Sequence, residues 1–275
     1  MKTYQTTDLT FLGELVAAVA KDEIMPRFER LASVNVRQKT SAFDVVTEAD
    51  EQAEAGIGSA LHARYPGASL IGEEATHRDP SLLRSIDAVD LAFIIDPIDG
   101  TKNFASGLPL FGVMVAVTVA GEVVAGVIHD PVRRATAYAM KGEGAWLDRP
   151  DAGRISLHVA APVPMSEMHG IVGTNFLPEP MRTQVNSRLS RFATTAWFRC
   201  AAHEYRLAAA GGVHTLFYNK LMPWDHAAGW LLHREAGGYS AHFDGSPYRP
   251  SHISGGLICA TDEASFHAAR AALLK

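Results

Sequence analysis

Cysteine is nearly absent from this chain: among 275 residues only Cys200 and Cys259 carry a thiol, and they form no CxxC pair. That usage suits a reducing compartment and reads as two buried apolar residues rather than as ligands. No run of Lys and Arg interleaves with aromatics, and the net charge is −5 with a pI near 6.2. The field therefore disfavours polyanions, and nucleic-acid binding is not expected as a primary role. The longest apolar run, residues 113–120, is too short to span a bilayer. The short apolar stretch 15–20 leads into Lys21, Asp22 and Glu23, which is no signal peptide. A soluble, cytoplasmic protein without a membrane partner is expected. The twelve histidines show neither HExxH nor His-Cys ligand spacing, which argues against a zinc hydrolase. No linker, repeat or low-complexity segment stands out.

Hydrophobic residues make up 47% of the chain, enough for one large domain or two intimately packed ones. Leu9, Leu12, Leu15, Val16, Val19, Ile24, Phe28 and Leu31 share one broad face, predicting an amphipathic helix over 8–33 that Pro26 kinks or breaks. Residues 34–43 are polar and read as a loop holding Lys39 and Ser41. A strand or turn at 44–47 enters a helix over 49–64, stopped by Tyr65-Pro66-Gly67. Short apolar strands at 68–72 and 91–95 end in Glu73-Glu74 and Asp96. Strands over 112–120 and 122–130 flank Gly121 as a hairpin, and 135–140 adds a third. The second half alternates strands (171–173, 195–198, 213–217) with helices (179–192, 202–210, 225–236, 262–274). The fold class is mixed α/β or α+β, with two subdomains meeting near residue 150.

The most informative stretch is Asp96-Pro97-Ile98-Asp99-Gly100-Thr101-Lys102-Asn103-Phe104. Two carboxylates lie three positions apart at the end of an apolar run. Pro97 stiffens the turn, Gly100 allows close backbone approach, and Thr101 brings a hydroxyl to a helix start. Hard oxygen ligands on such a turn suit Mg²⁺, and a helix N-terminus suits phosphate. Taken alone, Asp-Pro and Asp-Gly are common turn pairs. Further acidic groups recur at element ends, however: Glu73 after Gly72, Asp50 after Thr47-Glu48-Ala49, and Asp225 at a helix head. Such a set can hold two or more Mg²⁺ about 4 Å apart, because the ions offset carboxylates that otherwise repel.

Four segments resemble the motifs of the inositol monophosphatase family: Asp44-Val45-Val46-Thr47-Glu48-Ala49-Asp50, Ile71-Gly72-Glu73-Glu74, 96–104, and Trp224-Asp225-His226-Ala227-Ala228-Gly229. The resemblance covers nearly the whole chain. It implies a layered α-β-α-β-α sandwich forming a single catalytic module over 1–275, usually dimeric, whose second half supplies Asp225. It also implies a Mg²⁺-dependent phosphatase, a hydrolase, with two or three ions and Mn²⁺ as a possible substitute. By resemblance, Glu73, Asp96 and the Ile98 carbonyl hold one ion, and Asp96, Asp99 and Asp225 hold another. Thr101, bonded to Asp50, and Glu73 would position and deprotonate a water. Asp99, Asp225 and the Gly100 and Thr101 N–H groups would meet the substrate. Lys39 matches a lysine near the site, and Glu74 is a further accessory candidate.

The match fails where relatives read inositol. Tyr218 stands in place of a glutamate seven residues before Asp225, and Arg199-Cys200-Ala201-Ala202-His203-Glu204-Tyr205 replaces a Gly-Ser/Thr-Ala-Ala segment. A site built for hydroxyls loses discrimination without such groups. His203, Glu204 and Tyr218 are thus candidates for a different substrate contact. The expected function is hydrolysis of a small phosphorylated metabolite. Histidinol phosphate gains from the departure at 201–205. A 3′-phosphoadenosine 5′-phosphate substrate loses, because no added basic or stacking cluster is visible. A regulatory protein binding transcription machinery is the alternative from another class.

Overall fold

The computed structural model describes residues 4–28, 30, 36–41 and 44–275, with side chains described outside 36–46. The chain begins with α1 (Thr6–Val19), a π-helical turn at Ala20–Ile24, and α2 (Met25–Phe28). Pro26 therefore does not end the helix. Proline has no N–H and crowds the carbonyl four residues back, and one widened turn just before it absorbs both defects. The stretch read as a polar loop instead carries β1 (Val36–Ser41), paired antiparallel with β2 (Asp44–Thr47). Its own sequence shows no apolar alternation, so pairing with the next strand decides its conformation.

Helix α3 (Glu48–Arg64) starts at a capping box in which Thr47 and Asp50 satisfy each other's backbone N–H groups. Next come β3 (Ser69–Gly72), α4 (Glu73–Arg78), β4 (Leu91–Asp99) and the short α5 (Thr101–Ala105). A meander follows: β5 (Gly112–Val119), β6 (Glu122–Asp130), β7 (Ala135–Met140), β8 (Gly144–Arg149) and β9 (Gly153–Ser156). Strands β3 to β9 form a seven-stranded sheet in chain order, antiparallel except for the β3–β4 pair.

The second sheet is built from β10 (His169–Val172), β11 (Thr194–Ala196), β12 (Thr215–Tyr218), β13 (Tyr239–His242) and β14 (Leu257–Ala260). Its order is β11-β10-β12-β14-β13. The helices of this half are α6 (Met181–Ser187), α7 (Ala201–Ala209), α8 (Pro223–Glu235) and α9 (Glu263–Leu274). Each ends or starts within a few residues of its expected bound. The sequence reading missed β8, β9, β13 and β14. Strand β9 is exposed throughout, so it has no apolar face to betray it. Strand β14 is four buried residues, too short for a periodic signal.

Burial explains the layering. Phe93 and Ile95 point to one face of the large sheet, where α1 and α3 bring Leu9, Leu12, Val16, Ile57 and Leu61. Ala92 and Ile94 point to the other, against α7 and α8 with Tyr205, Ala228, Leu231 and Leu232. Leu216, Leu257 and Cys259 of the small sheet close the far side of those helices. Its outer face, with Phe217, Ile258 and Ala260, packs on Phe266, Ala269 and Leu273 of α9 and Val185 of α6. The result is the layered α-β-α-β-α sandwich. Strands covered on both faces read as unbroken apolar runs, as residues 91–95 do.

Helix α8 lies very close to β6. A Cβ built on Gly126 falls 3.0 Å from both Cα and O of Ala228, backbone atoms that cannot rotate aside. Gly126→Ala is therefore expected to cost about 1–3 kcal/mol, read as a lower midpoint in urea unfolding with an unchanged slope.

Candidate metal centre

Asp96 and Asp99 are three positions apart, so on a regular strand they would face opposite sides. The ladder to β5 is irregular here: Asp96 pairs with Met114 but Asp99 with Gly112. Three steps along β4 match two along β5, which is one extra residue, a bulge. Pro97, which has no ladder N–H to give, sits inside it. The bulge brings both carboxylates to one side. Gly100 then takes φ +85°, the left-handed conformation that glycine adopts without strain, and α5 starts.

Asp225 arrives in the first turn of α8, where its charge suits the helix dipole. Carboxylate oxygens of Asp96, Asp99 and Asp225 all lie within 4.8 Å of one another. Glu73, in the first turn of α4, lines the same cavity. Its placement depends on Glu54 of α3, which sequence reasoning missed. The Glu54 carboxylate accepts the Glu74 and Ala75 N–H groups, both at 2.8 Å, and so fixes the head of α4. A Cβ on Gly72 would sit 2.3 Å from that carboxylate, which is why this strand ends in glycine. An acidic residue one helix away gives no local signal for such a cap.

Buried like charges raise carboxyl pKa values. Asp96 is driven well above the usual range by burial, then by the charges of Glu73, Asp99 and Asp225. Asp99 rises to about 7, chiefly by burial. Asp225 rises to about 8, by burial and by Glu73 and Asp99. Asp50 rises to about 7, by burial and, more weakly, by Glu73. Asp96 Oδ1 is buried without a hydrogen-bond partner among the described residues. A fully buried carboxylate oxygen demands a counter-charge or a proton. A hard divalent cation answers that demand and the crowding together, so the donor set fits Mg²⁺.

Asp50 is fully buried behind this cluster. Its Oδ2 accepts the Thr47 N–H at 2.8 Å and hydroxyl at 2.5 Å, and its Oδ1 accepts the Thr101 hydroxyl at 3.1 Å. The Thr101 hydroxyl also lies 2.9 Å from the Ile98 carbonyl, so one proton has two acceptors.

A cavity of about 220 Å³ joins these parts; Glu73, Asp96, Ile98, Asp99, Gly100, Thr101, Glu204, Tyr218 and Asp225 all line it. His203 does not. Its ring bonds the Phe111 carbonyl at 3.0 Å and lies beside Arg206, away from the cavity. One helical position separates it from Glu204, a rotation of about 100°. Glu74 is buried outside the lining, and the Lys39 side chain lies outside the described residues. Glu204 is 1% exposed, and its oxygens are engaged by the Phe198 N–H and the Tyr218 hydroxyl, both at 2.9 Å. It therefore shapes the wall rather than offering a free carboxylate. Cys200 is buried as expected but is not an apolar filler: its thiol donates to Asp99 Oδ2 at 3.1 Å, beside the Ala202 N–H on the same oxygen. Burial, then the charge of Asp99, pushes that thiol well up. The sequence reading also missed Phe176, Trp197, Arg199 and Lys220 in the lining, which come from three separate segments.

Aspartates from a bulged strand and a helix head, meeting in a cleft of a five-layer sandwich, define a class of folds with a crowded carboxylate cluster between their layers. The chain matches the model of the inositol monophosphatase family over residues 5–275 and belongs to that family. It is 34% identical over 252 residues to a Haemophilus influenzae protein named Nus factor SuhB, spanning 89% of this chain and 88% of the relative. The solved extragenic suppressor protein suhB of Bartonella henselae superposes with a TM-score of 0.80 at 26% identity, covering 98% of both chains. An IMPase of Thermotoga maritima gives 0.80 at 27%, covering 97% of this chain and 98% of that one. Among the described residues, no helix is long and apolar enough to cross a membrane.

The raised carboxyls set a pH dependence. Unfolded, these groups titrate near about 4; folded, Asp50 and Asp99 hold protons to about 7 and Asp225 to about 8. Between those limits the folded state binds more protons, so stability falls as pH rises. Their contribution is full below the unfolded value and lost on passing the folded ones. In EDTA, the melting temperature is expected to drop from about pH 5 to about pH 8, and Asp225→Asn to flatten that drop. A flat wild-type profile in differential scanning calorimetry would refute the crowding.

Proposed function

We propose that this protein is a Mg²⁺-dependent phosphomonoesterase acting on a small phosphorylated metabolite, as one catalytic module over 1–275 and as a homodimer of the kind the family resemblance implies. The observation that carries the reading is the aspartate triad with its partnerless buried oxygen, set beside the Thr101–Asp50 pair on one cavity. Glu73, Asp96, Asp99, Asp225 and the Ile98 carbonyl would hold two or three Mg²⁺, with Mn²⁺ as a substitute. Bound there, Mg²⁺ supplies a water of lowered pKa and charge neutralisation for the leaving oxygen.

The chain's own groups do the rest. A threonine hydroxyl is too weak a base to act unaided, so it needs a carboxylate behind it. Asp50 is that group, and the Thr47 cap holds it still. The Thr101 hydroxyl donates to Asp50, with the Ile98 carbonyl as its other acceptor, and its oxygen lone pairs would orient the attacking water. Glu73 stands ready to take a proton from that water. The N–H groups of Gly100 and Thr101 orient phosphate oxygens. Cys200 and Ala202 both donate to Oδ2 of Asp99 and so hold its carboxylate in place beside the cluster. Within the class, inositol monophosphate, histidinol phosphate and 3′-phosphoadenosine 5′-phosphate are the substrates to compare.

A second reading is favoured by one observation: relatives at 34–35% identity are named Nus factor SuhB. In that reading the chain binds transcription machinery, and turnover is dispensable. An Asp96→Asn, Asp225→Asn double variant separates the two, since it keeps partner binding but not turnover.

Purified protein is expected to release phosphate from at least one ester of such a panel with Mg²⁺ and from none in EDTA. Asp99→Asn is expected to lower kcat by roughly 100-fold or more, while the metal-free melting temperature holds or rises as repulsion is relieved. Undiminished turnover in that variant removes Asp99 from the ligand set.

A further inference from the structure

The floor of the cavity is acidic, but its mouth is not. Arg199 and Lys220 line the outer part together with Phe176 and Trp197. Three segments meet there: the stretch after β10, the turn between β11 and α7, and the loop between β12 and α8. The four residues come from three segments far apart in sequence, which is why the cluster was invisible before folding.

Arg199 is the informative member. It adopts φ +57°, a left-handed conformation that a long side chain rarely takes. The backbone is held there from behind. Glu204 accepts the Phe198 N–H at 2.9 Å and draws on the Arg199 and Cys200 N–H groups, and Tyr218 pins Glu204 in turn. Glycine would fill this position without strain, yet an arginine stands here and reaches the cavity. Among the described residues, its guanidinium meets no carboxylate within ion-pair distance and makes no hydrogen bond. Opposite, the Lys220 ammonium lies 5.5 Å from the centre of the Phe176 ring, and that ring is half exposed. The cavity thus carries Arg199 and Lys220, with Lys102 also in its lining, and two flat apolar faces above the acidic floor where the proposed metal would draw the phosphate.

We propose that Arg199 and Lys220 form a second anion subsite, so that preferred substrates are phosphomonoesters whose alcohol part carries another anionic group. Phe176 and Trp197 give flat walls to the body that joins the two anions. This deepens the phosphatase reading and rests on it for the orientation of the ester. Arginine forks match phosphate and carboxylate oxygens in pairs, and a partly enclosed cleft strengthens the pairing.

The test uses two probes identical but for one phosphate, adenosine 3′-phosphate and adenosine 3′,5′-bisphosphate. Their affinities are measured by isothermal titration on the full chain with Ca²⁺ in place of Mg²⁺, alongside Mg²⁺-dependent phosphate release. Wild type is expected to bind the bisphosphate roughly tenfold or more tightly, and Arg199→Gly to reduce that ratio to about 2. Glycine suits the backbone here, so the variant should fold, with its melting temperature as the check. Equal affinities in wild type overturn the subsite. So does an unchanged ratio in Arg199→Gly, or an equal weakening of both probes, which would make Arg199 only a counter-charge to the acidic floor. Phosphate release with no bisphosphate preference sinks the subsite alone; preference without release sinks the phosphatase reading alone.

Discussion

Carboxylate crowding is the constraint around which this molecule is arranged. Asp96, Asp99 and Asp225 place oxygens within 4.8 Å of one another, with Asp50 buried close by. Nothing about such a cluster favours folding; the rest of the structure must hold it against its own repulsion. Three devices do so. A bulge in β4 turns two aspartates to one side. Helix heads receive Asp225 and Glu73, where the dipole offsets part of the charge. Backbone N–H groups and hydroxyls take up the remaining lone pairs, as Thr47 does for Asp50 and Ala202 for Asp99.

These devices differ in how far they reach along the chain, and that decides what the sequence discloses. The bulge is written locally, in Asp96-Pro97-Ile98-Asp99-Gly100, where proline and glycine mark it. The capping box at Thr47 and Asp50 is equally local. Glu54 is not: its partners are the N–H groups at the head of α4, some twenty positions on, and its neighbours in α3 look like any helix face. The mouth of the cavity is the extreme case, assembled from segments near residues 176, 197–199 and 219–220. The order of helices and strands was readable because apolar runs and helical periodicity are properties of single elements, whereas their layering came from the family resemblance. The edge strand β9 and the four-residue β14 escaped because neither is long or periodic enough.

The departures from the family pattern fall into one connected group. Tyr218 occupies the position where inositol-reading relatives carry a glutamate, and its hydroxyl is committed to Glu204. Glu204 in turn holds the Phe198–Cys200 turn, and Cys200 holds Asp99. A change at Tyr218 is thus wired through hydrogen bonds to an aspartate on the cavity floor. The His203 ring, one position away on α7, turns to the Phe111 carbonyl instead, because a helix turns its neighbour to another face.

The crossing of α8 over β6 sets the width of the acidic cluster. Asp225 belongs to the helix layer and Asp96 and Asp99 to the sheet, so no covalent turn fixes their separation. It is fixed by how closely Ala228 rests on Gly126, with no side chain between them to compress. Backbone-on-backbone contact is the least yielding kind in a protein interior. Discrimination between small and large divalent ions depends on how far ligands can give as ionic radius changes. In the proposed metal-dependent enzyme, an apolar contact that touches no ligand would thus limit how far the carboxylates can give.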